Sequence, residues 1–179
     1  VYTVHNLVAH HERGDIYRRL DEMANRLILS RADVVHVHSQ AAAEAVAQAY
    51  GRRARVVMIP HGNYLGWYPN TLSRTEARRQ LGLPEGAFTF VFLGQIAAYK
   101  GLEALVDAFR QLDDPSTRLV IAGKVDQPEY GDALAAFATA PGLLYRPGFV
   151  PDDELQVYLN AADVVALPYA RSTTSGSGL

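Results

Sequence analysis

The sequence contains no cysteine, which removes disulfides, cysteine zinc sites and thiol nucleophiles together. That absence fits a reducing compartment, so the cytoplasm is the expected location. Long apolar runs are missing as well. FTFVFLG and DVVALP are short and interrupted, far from the ~18 consecutive apolar residues of a membrane span. Neither sign of charge is in excess, with 17 Lys and Arg against 19 Asp and Glu. The clustered cation surplus that phosphate neutralisation demands is therefore lacking, and a dedicated nucleic-acid binder is not expected. A GxGxxG dinucleotide fingerprint is absent too, which argues against a nicotinamide-dependent oxidoreductase. What is present is the balance of a packed globular protein: 179 residues, 49% hydrophobic and 20% charged. That is material for one ordinary domain or for parts of two.

The period of the apolar residues gives an alternation of strands and helices. Tyr2 to Val4 reads as the end of a strand with no charged and apolar leader before it. Asp15 is expected to cap a helix with Leu20, Met23, Leu27 and Ile28 on one face. Strands are expected at Asp33 to Ser39 and Arg55 to Pro60, with an alanine-rich helix from Gln40 to Tyr50 between them that Gly51 can stop. HGNYLGWYPNTLS, rich in glycine, asparagine and aromatics, has no sustained period and reads as a domain boundary. Beyond it Thr75 is expected to cap a short helix that Gly82 ends. Strands follow at Phe88–Leu93, Leu119–Ala122, Leu143–Tyr145 and Val164–Leu167. Helices near Gly101–Leu112, Asp132–Ala140 and Asp152–Ala161 separate them. This is parallel α/β architecture, and the second half is a Rossmann-like β/α unit. VYTV at one end and TTSGSGL at the other suggest a chain truncated at both ends.

The segment from Gly94 through Gln95 to Lys100 and Gly101 leaves a buried strand and opens a helix, at the edge where open α/β sheets bind ligands. Glycine permits close approach of a ligand to the backbone. Helix-start N–H groups with the Lys100 ammonium would suit a phosphate. The opposing reading makes Gly94 a strand terminator and Lys100 a solvated helix residue. The segment is not a P-loop, because Lys100 precedes the second glycine. The loop from Pro168 through Tyr169 and Arg171 to Ser175, Gly176, Ser177 and Gly178 leaves the last strand, and such a loop can cradle an anion with backbone amides. His5 follows the first strand at the ligand-binding end. His36 and His38 share a strand face as packed or rim residues. His10, His11 and Glu12 do not form a helical zinc motif, so no metal site is expected.

In order, IPHGNY…YP, FLGQIAAYKGLEALVDAF, LVIAGK, GFVPDDEL and ADVVALPY…SGSG resemble the bacterial GT-B glycosyltransferases of family 4, nucleotide-sugar-dependent retaining enzymes. The similarity covers nearly the whole chain. It implies two Rossmann-like β/α domains of GT-B type, both incomplete. Residues 1–66 would be the C-terminal part of the N-terminal, acceptor-side domain, and 67–179 the C-terminal, donor domain. On that resemblance His5 would face the transferred sugar and Lys100 the donor diphosphate, with Gly94 and Gln95 beside it. Phe149 and Val150 would lie at the nucleotide base, and Ser175, Gly176 and Ser177 at the phosphates or sugar. The departing diphosphate would itself take the acceptor proton, so the protein mainly stabilises charge, with no cofactor or catalytic metal.

The resemblance implies a glycosyltransferase moving a sugar from a nucleotide-diphosphate sugar to a glycan or lipid-linked acceptor. The second candidate is a non-catalytic nucleotide- or phosphate-binding module. The family usually has Arg where Gln95 stands, or Gln there with Arg where Ala97 stands, so one diphosphate-binding cation is expected to be absent. The glutamates expected around the SGS loop are not seen. Arg13, Arg18, Arg19 and Arg26 offer either a solvated helix face or peripheral contact with the inner face of a membrane, where a lipid-linked acceptor would lie.

Overall fold

The computed structural model describes residues 1–4, 15–50 and 55–169. These fall into two compact units that meet in sequence between Asn63 and Tyr64. Among the described residues no helix is long and apolar enough to cross a membrane.

The first unit runs β1 (Tyr2–Thr3), α1 (Asp15–Arg31), β2 (Val34–Val37), α2 (Gln40–Tyr50) and β3 (Arg55–Met58). Its strands form a parallel sheet in the order β1-β2-β3, with Tyr2 opposite Val35 and Val35 opposite Val56. Val35 and Val37 are buried with Val4, Leu29, Ala42 and Val46. Ser39 accepts the Ala42 N–H at 3.1 Å, the helix-capping role its place before α2 predicts. Gly51, expected to stop α2, lies outside the described residues. In α1 the periodic apolar face exists, but it is the exposed one: Leu20 and Met23 are 55% and 66% exposed. The unit buries Leu29, on the other side of the helix at ~100° per residue. Period identifies a face, whereas the neighbouring elements decide which side is covered.

The second unit runs α3 (Arg74–Leu81), β4 (Phe88–Leu93), α4 (Leu102–Leu112), β5 (Thr117–Gly123), α5 (Pro128–Phe137), β6 (Leu143–Pro147), α6 (Leu155–Ala161) and β7 (Val164–Val165). All its strands are parallel, in the order β6-β5-β4-β7, with Phe92 opposite Ile121 and Ile121 opposite Tyr145. Alternate residues of β4 and β5 feed two separate cores. Phe92, Leu119 and Ile121 pack with Leu102, Val106, Phe109 and Leu134 from α4 and α5. Val91, Val120 and Ala122 pack with Ala77, Leu81, Val157 and Ala161 from α3 and α6. Helices on both faces explain why FTFVFL reads as nearly continuous apolar sequence. This is a doubly wound, Rossmann-like layer.

Three helix starts differ from expectation, that of α6 by lying at Leu155 rather than Asp152. The cap of α3 is Ser73, not Thr75: Ser73 Oγ accepts from Glu76 N–H while the Glu76 carboxylate accepts from Ser73 N–H at 2.9 Å. This is a capping box, satisfying two otherwise orphaned donors. Helix α5 starts at Pro128 rather than Asp132, because a proline with fixed φ and no N–H suits the first helical turn.

At the amino edge of this sheet Arg78 is 2% exposed. Its guanidinium donates to the carbonyls of Pro84, Ala87 and Ala161, to Thr89 Oγ1 and to Asp163. Asp163 also accepts Thr89 N–H at 2.8 Å and Arg74 at 2.5 Å. Burial pushes the Asp163 carboxyl upward, but these donors outweigh it and hold the group below the usual aspartate range. The network fastens α3 to β4 and to the turn entering β7.

Candidate functional site at the carboxyl edge of the second sheet

Three neighbouring strands of the second unit end in glycines with positive φ: Gly94 at 153°, Gly123 at 144° and Gly148 at 150°. Gly94 N–H donates to the Ala122 carbonyl at 3.1 Å and Gly148 N–H to the Gly123 carbonyl at 2.8 Å. A Cβ on Gly123 would run into the Gly94 carbonyl oxygen. Only glycine lets the backbones draw this close in this conformation. The loops continue together. Ile96 N–H donates to the Lys124 carbonyl at 2.8 Å, and Asp126 N–H to the Ile96 carbonyl at 3.0 Å. The Gln95 carboxamide donates to Asp126 Oδ1 at 2.6 Å.

From there the chain makes one 3-10 turn, Ala98–Lys100, and enters α4 through Gly101, whose φ of 72° is left-handed. The N-cap of α4 is Gly101, which has no side chain to cap it, an arrangement that suits an anion at the first-turn N–H groups. Lys100 is not a solvated helix residue: it is 8% exposed and lies in the 3-10 turn. Its ammonium sits 4.0 Å from the centroid of the Tyr169 ring and 5.1 Å from that of Tyr99. Among the described residues no carboxylate pairs with it. Within the described residues the ammonium is held by aromatic faces, an environment that leaves its charge uncancelled.

Gly94, Gln95 and Lys100 are thus gathered at one edge. Phe149, 75% exposed, follows Gly148 on the same edge, whereas Val150 leans on the core between the sheet and α3 and α6. His5 and the Ser175, Gly176 and Ser177 loop lie outside the described residues, as does Arg13. Sequence reading named Tyr169 only as part of the loop leaving the last strand, and it singled out neither Asp126 and Lys124 nor the glycines at 123 and 148. The signal for Gly123 was available, since it follows the apolar run Leu119 to Ala122 as Gly94 follows Phe88 to Leu93, whereas Gly148 follows Arg146 and Pro147.

The first unit presents histidines at the corresponding edge of its own sheet. The Ile59 carbonyl accepts from His36 Nε2–H and His38 Nδ1–H, each at 3.1 Å. Thr3 Oγ1 lies 3.3 Å from His36 Nδ1 and donates to it. The His38 and His61 rings stack at 3.7 Å. These are packed rim residues. Among the described residues no three His, Cys, Asp or Glu side chains are grouped to hold a metal ion.

Two parallel β/α units, the second doubly wound with glycine-lined loops at its carboxyl edge, define the GT-B class of fold. Residues 73–177 match the family described as Glycosyl transferases group 1, and residues 1–62 match the Glycosyl transferase 4-like domain. The chain belongs to the glycosyl transferases of group 1. It is 31% identical over 184 residues to a D-inositol 3-phosphate glycosyltransferase of Nocardia farcinica, covering 94% of this chain and 40% of that protein. It is 27% identical over 185 residues to a GDP-mannose:glycolipid 4-beta-D-mannosyltransferase of Xanthomonas campestris, covering 99% of this chain and 45% of that protein. The chain therefore spans less than half the length of these relatives. Sucrose-phosphate synthase from Thermosynechococcus elongatus shares the fold at a TM-score of 0.78 and 22% identity, over 97% of this chain and 45% of that one. Anabaena HepE in complex with UDP does so at 0.76 and 20%, over 95% of this chain and 46% of that one.

Proposed function

We propose that the whole protein transfers a sugar from a nucleotide-diphosphate sugar to a glycan or lipid-linked acceptor with retention. Residues 67–179 would provide the donor side and 1–66 part of the acceptor side. The observation that carries this reading is the buried Lys100 ammonium, which has no anionic partner among the described residues, beside the start of α4, where the N-cap Gly101 has no side chain. A diphosphate satisfies both. The structural neighbour that binds UDP and the relative named for a GDP-mannose donor support a nucleotide-diphosphate ligand.

In the transfer, the anomeric C–O bond to the diphosphate breaks and a bond from the acceptor oxygen forms on the same face. Charge develops on the departing diphosphate. Lys100 and the first amides of α4 meet that charge, and preorganised donors of this sort are worth several kcal/mol. The acceptor proton passes to a diphosphate oxygen. Neither a cofactor nor a metal is needed. The reaction would run in the cytoplasm, at the inner membrane face for a lipid-linked acceptor.

The test is calorimetric titration of the whole protein with UDP and GDP, followed by transfer assays. Lys100→Ala is expected to lose at least ~10-fold in diphosphate affinity and ~100-fold or more in rate. Unchanged binding and rate would remove Lys100 from the mechanism. A second reading, a non-catalytic nucleotide-binding module, is favoured by one feature. Gln95 carries no charge and is engaged by Asp126, while Ala97, where the family resemblance would place a cation, is buried. Tight nucleotide binding with no transfer by the whole protein would select that reading.

A further inference from the structure

Lys100 and Tyr169 are far apart in sequence, and two features of the second unit bring them together. Strand β7 pairs with β4, so the segment leaving β7 emerges beside the segment leaving β4. Gly101 then admits the Pro168 carbonyl against its Cα, where any Cβ would collide with that oxygen. Tyr169, the next residue, is held against the core that includes Leu102 and Val106. Its ring face lies 4.0 Å from Lys100 Nζ.

The choice of partner matters chemically. A lysine stem is flexible, and its ammonium ordinarily escapes to water. Holding it in a buried position requires an attractive partner. A carboxylate would do so but would cancel the charge that a phosphate needs. The negative face of an aromatic ring attracts the ammonium and leaves its full charge available. The neighbouring loop shows the contrast, because Gln95 there is taken up by the carboxylate of Asp126.

Resting on the reading of Lys100 as the diphosphate cation, we infer that Tyr169 is a positioning residue: its ring holds the Lys100 ammonium at the carboxyl edge and presents it to the diphosphate. Tyr99, at 5.1 Å and on the same turn as Lys100, has the lesser part.

The experiment compares inorganic pyrophosphate, UDP and GDP binding by calorimetry for the whole protein and its variants. Tyr169→Leu, which keeps apolar bulk but removes the ring, is expected to lose about 5- to 30-fold in pyrophosphate affinity. Tyr169→Phe keeps the ring face and is expected to bind within about twofold of the parent. Lys100→Ala/Tyr169→Leu should bind no more weakly than Lys100→Ala alone, since the ring acts only through the ammonium. If Lys100→Ala leaves pyrophosphate binding unchanged, or the parent binds none of the probes, the functional reading fails and this inference with it. If Lys100→Ala weakens binding while Tyr169→Leu does not, or the two losses add, the positioning role is overturned and the functional reading survives. Should Tyr169→Leu fail to melt cooperatively, the parent decides by NMR. The Lys100 ε-methylene protons, assigned by their loss in Lys100→Ala, should be shifted upfield by the ring. Resonances at the ordinary lysine position would overturn the inference.

Discussion

The second unit buries a cation at each end of one parallel sheet, and the two are treated in opposite ways. Arg78, at the amino edge, donates to three backbone carbonyls, Thr89 Oγ1 and Asp163. Lys100, at the carboxyl edge, meets the faces of Tyr169 and Tyr99 and, among the described residues, no carboxylate. A buried cation whose terminal nitrogens both donate to its own fold, as those of Arg78 do, belongs to the fold. A buried cation in contact with ring faces, next to a helix start whose N-cap is glycine, keeps its charge uncancelled, as the proposed diphosphate site requires. Burial alone does not tell the two apart; the chemistry of the partners does.

The largest expected effect comes from exchanging each cation for methionine, which keeps length and removes charge. Arg78→Met strands the carbonyls of Pro84, Ala87 and Ala161, and is expected to cost about 3–5 kcal/mol of unfolding free energy. Lys100→Met removes a charge without stranding a partner, so stability should stay within about 1 kcal/mol while pyrophosphate binding is lost. Denaturant titrations of both variants decide the comparison; equal losses of stability would abolish the distinction drawn between the two edges.

Glycines sharpen it at intermediate size. Gly82 and Gly101 both have left-handed φ, at 68° and 72°. A Cβ on Gly82 would meet nothing, whereas one on Gly101 would strike the Pro168 carbonyl. Gly82→Ala should cost about 1–2 kcal/mol, from backbone conformation alone. Gly101→Ala should cost more and also weaken pyrophosphate binding, because the segment carrying Tyr169 must move. Equal costs with intact binding would show that Pro168 and Tyr169 yield freely.

The smallest effect is on pH dependence at the amino edge. Folding lowers the Asp163 pKa, so the stability it contributes is fully present above the ordinary aspartate value. That contribution fades as pH falls through the lowered value. Asp163→Asn should flatten the acid limb of the stability profile between those two values and leave the binding of pyrophosphate at neutral pH unaltered. A parent and a variant with parallel acid limbs would show that Thr89 and Arg74 do not favour the ionised form.

Much of this architecture is legible in short stretches of sequence. FTFVFLG announces a doubly covered strand, and the repeated strand, helix, glycine order announces parallel layers. The same local reading placed Gly94, Gln95 and Lys100 at the carboxyl edge of the second sheet, where the structure has them. It chose Thr75 over Ser73 as a cap because it weighed one position rather than the reciprocal Ser73 and Glu76 pair. It found the apolar face of α1 but not its exposure, since exposure depends on what packs against the helix.

Periodicity, turn chemistry and the resemblance to glycosyltransferases determined the fold class and the sheet edge at which Gly94 and Lys100 lie, because each is written in residues a few positions apart. The burial of Lys100, the engagement of Gln95 by Asp126 and the meeting of Lys100 with Tyr169 were decided only by the tertiary structure. They depend on β4 lying between β5 and β7, a strand order set by non-local packing that no local pattern encodes.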